Sequence, residues 1–204
     1  DSNKFADENC SLNPLSDYAK SKVVAENYIM SLKGTNDLNP SILRFATAFG
    51  ISPRMRFDLT INEFTRELFL KKPLLVYDAG TWRPYCHVED FARLILLVLA
   101  SPYEKISYEI FNAGSTDNNY TKQMIVDEIT KFLPDAKIDY KDKSYETDPR
   151  NYKVNFSKVR NILGFVPKHS VKDGITELLK FLGNKKFHDV EKNKNFYGNY
   201  EIKY

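Results

Sequence analysis

Apolar residues in "SVKDGITELLKFLG" (170–183) fall, Phe181 apart, at 171, 175, 178, 179 and 182, one face of a 3.6-residue period, with Ser170 placed as an N-cap. The same spacing predicts a helix over 57–72, stopped by Pro73, and an apolar-faced helix over 89–100 begun by Glu89 and Asp90. It also predicts a helix from Thr121 to about Phe132, and a short one over 156–165 ended by Gly164. Ser16 or Asp17 can cap a first helix that runs to about Lys33, with Gly34 ending it. Short apolar runs bounded by turn residues read as strands: 40–50, 74–77, 83–88, 108–114 and 136–140. Residues 1–15 are polar and read as loop, and the tail from Asn184 carries no clear period. Strands that alternate with helices predict an α/β fold with a largely parallel sheet, and the short inserted strands predict a second, smaller lobe.

Length and charge narrow this picture. The 204 residues suffice for one domain or one and a fraction, with 42% hydrophobic and 28% charged residues, the balance of a soluble globular chain. A net charge of +3 is too small to argue for nucleic acid, and the Lys-rich stretch 185–194 reads as a solvated tail. Cys10 and Cys86 are far apart and match no metal spacing, so no metal is assigned and a reduced, cytoplasmic setting is expected. The longest apolar run, 94–100, is far too short to span a bilayer, so no membrane partner is expected. No signal peptide is visible and the chain opens on Asp1, which leads us to expect that the true N-terminus lies upstream.

Chemistry enters with "LSDYAKSKVVAENY" (15–28), where Tyr18 and Lys22 stand one helical turn apart and share a face. A free tyrosine titrates near pH 10, too high for a base at neutral pH, and a neighbouring ammonium favours the phenolate. Such a pair suits acid/base work on a hydroxyl undergoing oxidation, though the same spacing also serves a packed ring beside a solvated amine. "PLSDYAKSKVVAEN" (14–27) resembles the active-site helix of the extended short-chain dehydrogenase/reductase family, the nucleotide-sugar epimerases and dehydratases. That family carries Tyr-x-x-x-Lys together with Ser-Lys and a downstream Ala-Glu, matched here by Tyr18, Ser21, Lys22, Ala25 and Glu26. The resemblance continues in order through "ILRFATAFG" (42–50), "GTWRPYCHVEDFARLI" (80–95), "FNAG" (111–114) and "VNFSKVRNILGFVP" (154–167).

The resemblance implies the C-terminal part of a Rossmann-type parallel sheet domain plus a small α/β substrate-binding lobe. Residues 1–50 would form the C-terminal half of the NAD-binding domain and 51–183 mostly the substrate lobe, with 84–114 returning to the first domain and 184–204 left as a tail. Tyr18 and Lys22 would be catalytic and would touch the nicotinamide end of NAD. The substrate would be a nucleotide-diphosphate sugar. Arg is the usual bidentate phosphate partner, and Arg83 falls where the family places its diphosphate-binding Arg. Arg54, Asn62 and Arg150 are further candidate substrate contacts, with a solvent-facing helix Asn the alternative for Asn62; Arg56 shares the Arg54 segment, and a solvated side chain is the alternative for one of these two. Many relatives have Asn in the strand-end segment that reads "FATAFG" here, so Thr47 or Ala46 takes that place.

Two family features are missing. None of the eight glycines forms Gly-x-Gly-x-x-Gly, the turn that lets backbone N–H groups approach a pyrophosphate. The family's catalytic Ser or Thr would lie upstream of Asp1, and Ser11 and Ser16 are poor substitutes because both sit in the loop approaching the helix. Asp7 and Glu8 stand too close to Tyr18 to be the acidic pair of a 4,6-dehydratase. Adjacent Cys86 and His87 point to opposite faces of a strand, so His87 reads as a packed or capping residue, and His169 and His188 get no role.

The expectation is thus an NAD-dependent nucleotide-sugar epimerase seen as its C-terminal segment. A 4,6-dehydratase or reductase on the same scaffold is the alternative within enzymes; a non-catalytic nucleotide-binding or scaffold protein is the alternative outside them. The helices at 16–33 and 57–72 could pair across a two-fold axis, giving a homodimer.

Overall fold

The computed structural model describes residues 5–35, 37–142, 151–191 and 197–198. The elements run β1 (Phe5–Ala6), α1 (Asp17–Ser31), β2 (Ser41–Phe45), β3 (Thr47–Phe49), α2 (Thr60–Phe69), β4 (Leu74–Tyr77), β5 (Trp82–His87), α3 (Val88–Ala100) and α4 (Tyr103–Ile106). They continue through β6 (Glu109–Ala113), β7 (Asn119–Thr121), α5 (Lys122–Thr130), β8 (Ile138–Lys141), β9 (Lys153–Val154), α6 (Ser157–Leu163) and α7 (Val171–Gly183).

The apolar run 40–50, expected to be one strand, serves two sheets. β2 pairs in parallel with β6, from Ser41 opposite Glu109 to Phe45 opposite Ala113. The Ala46 N–H then donates to the Ala113 carbonyl at 3.0 Å, and β3 turns to pair in parallel with β5, with Thr47 opposite Tyr85 and Phe49 opposite His87. β5 also pairs antiparallel with β7. The other two ladders, β4 with β8 and β1 with β9, are parallel. β1 arises where the pattern predicted loop and β9 where it predicted no element, because two-residue strands leave no period to read.

Two apolar clusters follow from this split. The larger packs α2, α5 and α7 on β3, β4 and β5 around Phe49, Ile61, Tyr85, Ile125, Ile175 and Leu178. The smaller gathers Leu94 and Val98 of α3, Phe111 of β6 and Phe156, Val159 and Phe165 around α6. α7 buries Val171, Ile175, Leu178 and Leu182, the stripe its sequence spacing predicts. Its start is a capping box: the Ser170 Oγ accepts from the Asp173 N–H at 3.2 Å and the Asp173 Oδ2 accepts from the Ser170 N–H at 2.8 Å. Ser170→Ala is expected to lower stability by about 1 kcal/mol, read as a lower urea midpoint at unchanged slope.

α6 ends as predicted at Gly164, which takes the left-handed conformation (φ 67°). Of the two helices expected to meet a second copy, α2 is built into the larger cluster through Ile61, Phe64 and Leu68, which removes most of its surface from that role. α1 has no buried residue. Among the described residues, no helix is long and apolar enough to cross a membrane.

Candidate functional site

α1 starts where the sequence placed it. The Ser16 Oγ caps the Ala19 N–H at 3.2 Å, and Asp17 supplies the acidic first turn. One turn in, the Lys22 Nζ lies 5.4 Å from the centroid of the Tyr18 ring, and the Tyr18 side chain is 73% exposed. The pair is thus together and open to an approaching ligand.

α1 only half-buries its apolar residues Val23, Ile29 and Met30, and polar ties help attach it. Arg44 on β2 grips Glu26 with two bonds, Nη2 to Oε1 at 2.5 Å and Nε to Oε2 at 2.9 Å. The hydrogen bond to Glu26 raises the Arg44 pKa above its already high ordinary value, against the opposing pull of burial. Arg44 also donates to the Glu8 carbonyl, and the Glu8 Oε1 accepts from the Asn112 N–H of β6. At the far end of α1 the Tyr108 hydroxyl donates to the Leu32 carbonyl at 3.0 Å. Arg44→Ala removes the forked contact, so hydrogen exchange within 17–31 should accelerate by the loss of about 1.5–3 kcal/mol of local protection, while exchange in α7 stays as in the parent.

The segment between β3 and α2 carries the arginines. Arg56 forms a forked pair with Asp58 at 2.9 and 2.6 Å. That hydrogen bond raises the Arg56 pKa against burial, with Asp58 and, last, Tyr18 adding electrostatic attraction. Arg54 donates to the Gly198 carbonyl at 3.4 Å. Asn62 is buried, and its amide binds the segment at both ends: its Oδ1 accepts from Gly50 N–H at 3.1 Å and its Nδ2 donates to the Arg56 carbonyl at 2.9 Å. Thr47, half-buried, opens β3 opposite Tyr85. Arg83, on β5, is half-buried, donates to the Trp82 carbonyl and stands over the Tyr152 ring at 5.5 Å. Arg150 lies outside the described residues.

Burial pushes the Cys86 thiol up to about 12, with the Asp90 charge adding to it, so Cys86 stays a protonated core group. Burial likewise pushes the Tyr85 hydroxyl up to about 12, against a hydrogen bond with Thr60. His87 caps α3, its Nδ1 accepting from the Glu89 N–H at 3.2 Å. Sequence reasoning missed the residues around it. His169 stacks on His87 with centroids 4.4 Å apart, Asp90 accepts from His169 and Arg93, and Glu177 of α7 meets the His87 Nε2 at 3.1 Å. The Asp90–His169 and His87–Glu177 contacts join residues 79 and 90 positions apart in the chain, and no local period signals them.

Parallel strands joined by helical connections, with a tyrosine and a lysine one turn apart on the helix leading into β2, define a Rossmann-type α/β protein. The structure of UDP-glucuronic acid 4-epimerase from Bacillus cereus, solved with UDP-glucuronic acid and NAD, superposes with a TM-score of 0.77 at 22% identity, over 89% of this chain and 57% of that one. A model of the NAD dependent epimerase/dehydratase family matches residues 1–114. The chain belongs to that family. An uncharacterized UDP-glucose epimerase of Bacillus subtilis, YtcB, is 28% identical over 180 residues, 87% of this chain and 55% of that protein. The UDP-glucuronate 4-epimerase of Thermodesulfobacterium geofontis is 27% identical over 164 residues, 79% of this chain and 49% of that protein. The chain spans about half the length of these curated relatives.

Proposed function

We propose that this chain is the acid/base and substrate-side portion of an NAD-dependent epimerase acting on a nucleotide-diphosphate sugar. The observation that carries the reading is the Tyr18–Lys22 pair, exposed and adjacent on α1. Tyr18 takes the proton of a sugar hydroxyl at its phenolic oxygen and later returns it. Lys22, one turn along the same face, donates to the ribose next to the nicotinamide. When bound, the dinucleotide supplies the hydride acceptor and donor at this face. Arg54 and Arg83 hold the diphosphate, which fixes the reacting sugar against Tyr18. Asn62 shapes the segment that carries Arg54, and Thr47 lines the sugar side. Residues 1–50 with 84–114 serve the dinucleotide-facing unit and the remainder up to 183 serves the substrate. Arg150 is proposed as a further substrate contact.

The residues fit only one end of the dinucleotide. Tyr18 and Lys22 suit its nicotinamide ribose, but no Gly-x-Gly-x-x-Gly turn is present in the sequence to receive the pyrophosphate. The free edge of β2 among the described residues and the exposed Leu96 and Leu99 on α3 support a further portion of the fold packing here. Native mass spectrometry with analysis of released cofactor tests this. The reading predicts a mass well above 23.7 kDa with NAD released on denaturation. A mass equal to that of this chain, with no dinucleotide, would overturn it and favour a non-catalytic scaffold.

A further inference from the structure

The segment 50–58, read above as the substrate side of the site, starts on a buried histidine and the carboxylate that meets it. Gly50 has φ 98°, and a Cβ built on it would lie 2.0 Å from the His87 Nε2, so its backbone runs directly over the imidazole and no other residue fits without movement. The His87 Nδ1 accepts from the Glu89 N–H. The ring proton of the neutral tautomer is therefore on Nε2, which points at the Glu177 Oε2, 3.1 Å away. The same carboxylate oxygen accepts from the Ile51 N–H at 3.4 Å. One carboxylate on the last helix thus holds both the imidazole and the start of the segment.

The surroundings leave the imidazole little freedom. His169 covers one face at 4.4 Å, and the Phe49 edge meets it at 5.3 Å and 82°. Gly174, one turn before Glu177 on α7, lets the helix approach: a Cβ there would lie 2.4 Å from the Phe49 ring. His87, Glu89 and His169 bring ligand-type atoms within 4.8 Å of one another. Every ring nitrogen of the two histidines already meets a protein partner, at Glu89, Glu177 and Asp90, so the cluster is built as a clamp.

We propose that Glu177 is a positioning residue for substrate binding. Through His87 and the Ile51 N–H it sets the path of segment 50–58 and so the place of Arg54. This rests on the reading of that segment as the diphosphate side of the site. Glu177 is partly exposed and is not one of the buried residues of α7, so Glu177→Ala is expected to keep the fold, read as an unchanged far-UV circular dichroism spectrum.

The test uses the native protein with uridine diphosphate as probe and compares the parent with Glu177→Ala and Glu177→Gln. In Glu177→Ala, amide exchange in 50–58 rises and uridine diphosphate binds about tenfold more weakly, the equivalent of one charge-assisted hydrogen bond. Glu177→Gln restores both to within about threefold, because its amide oxygen still accepts from His87 and Ile51. Equal exchange and equal affinity in the parent and Glu177→Ala would overturn the proposal. So would an Nδ1-protonated His87 in the ring-nitrogen spectrum of the parent, which needs no variant. A parent that takes up no uridine diphosphate, with exchange in 50–58 still responding to Glu177→Ala, overturns the functional reading of the segment and leaves the clamp standing.

Discussion

Tyr18→Phe lowers turnover by about 10²–10⁴-fold, the range for removal of a general acid/base, and leaves the fold as it was. The first half follows from the role proposed for the phenol: without the hydroxyl, nothing on α1 takes the proton of the sugar hydroxyl. The second half follows from exposure. With 73% of Tyr18 in solvent, loss of one oxygen changes stability by no more than about 0.5 kcal/mol, a shift of about 1–2 °C for a chain of this length. Tyr28, also exposed on α1, is the control. Tyr28→Phe keeps full turnover, whereas an equal loss in both variants would mean that α1 tolerates no change and that Tyr18 has no special part.

The largest stability effect is expected at Asp90. Its side chain is fully buried, and it accepts from the backbone N–H groups of Lys168 and His169 at 2.9 and 3.0 Å, from the His169 Nδ1 at 3.0 Å and from Arg93 at 2.5 Å. Asp90→Ala leaves these donors facing an apolar hole and should cost about 3–5 kcal/mol. Asp90→Asn keeps the shape but turns an amide N–H₂ toward donors, so it should lie between the parent and Asp90→Ala. Burial pushes the Asp90 carboxyl up, but the two backbone amides, His169 and Arg93 outweigh it and hold the carboxyl below its ordinary value of 3.8. A lowered folded-state value means that the unfolded chain takes up the proton first as pH falls. The stabilisation is therefore complete well above pH 4 and is lost as pH drops through the folded-state value. Urea unfolding of the parent and Asp90→Asn at pH 7, 5 and 3 should give a gap that is constant between pH 7 and 5 and narrows at pH 3. A gap that widens at pH 3 would contradict the assignment.

The longer helices were legible from an apolar period, a cap or both, whereas the four-residue α4 has neither and was not predicted. Ser16, Thr121 and Ser170 all cap in the structure as their positions predict. Boundaries moved inward, as with α2, which occupies Thr60–Phe69 rather than 57–72, because Phe57 is buried ahead of the helix and only looks periodic with it. The division of 40–50 into β2 and β3 was not legible. Buried strands read as one apolar run whichever sheet each residue joins, and the break at Ala46 depends on its bond to Ala113, distant in sequence.

The Tyr18–Lys22 pair was legible from spacing, since one helical turn fixes their proximity. Asn62 shows the limit of such reading. Its place in the sequence suggested a sugar or phosphate contact, while the structure shows its amide holding Gly50 and Arg56. His169 and Glu177 carry no local signal, and Asp90, legible only as the start of α3, gives no sign of its partners Lys168 and His169, because these come from elements brought together only by the fold.

The central claim is that Tyr18 performs acid/base chemistry on a nucleotide-diphosphate sugar. It is tested most directly by incubating the native protein with NAD and either UDP-glucose or UDP-glucuronic acid, and following the anomeric protons by NMR. The account predicts a new anomeric signal from the epimeric sugar with the parent and none above background with Tyr18→Phe. Conversion of neither sugar, or equal conversion by the parent and Tyr18→Phe, would contradict it.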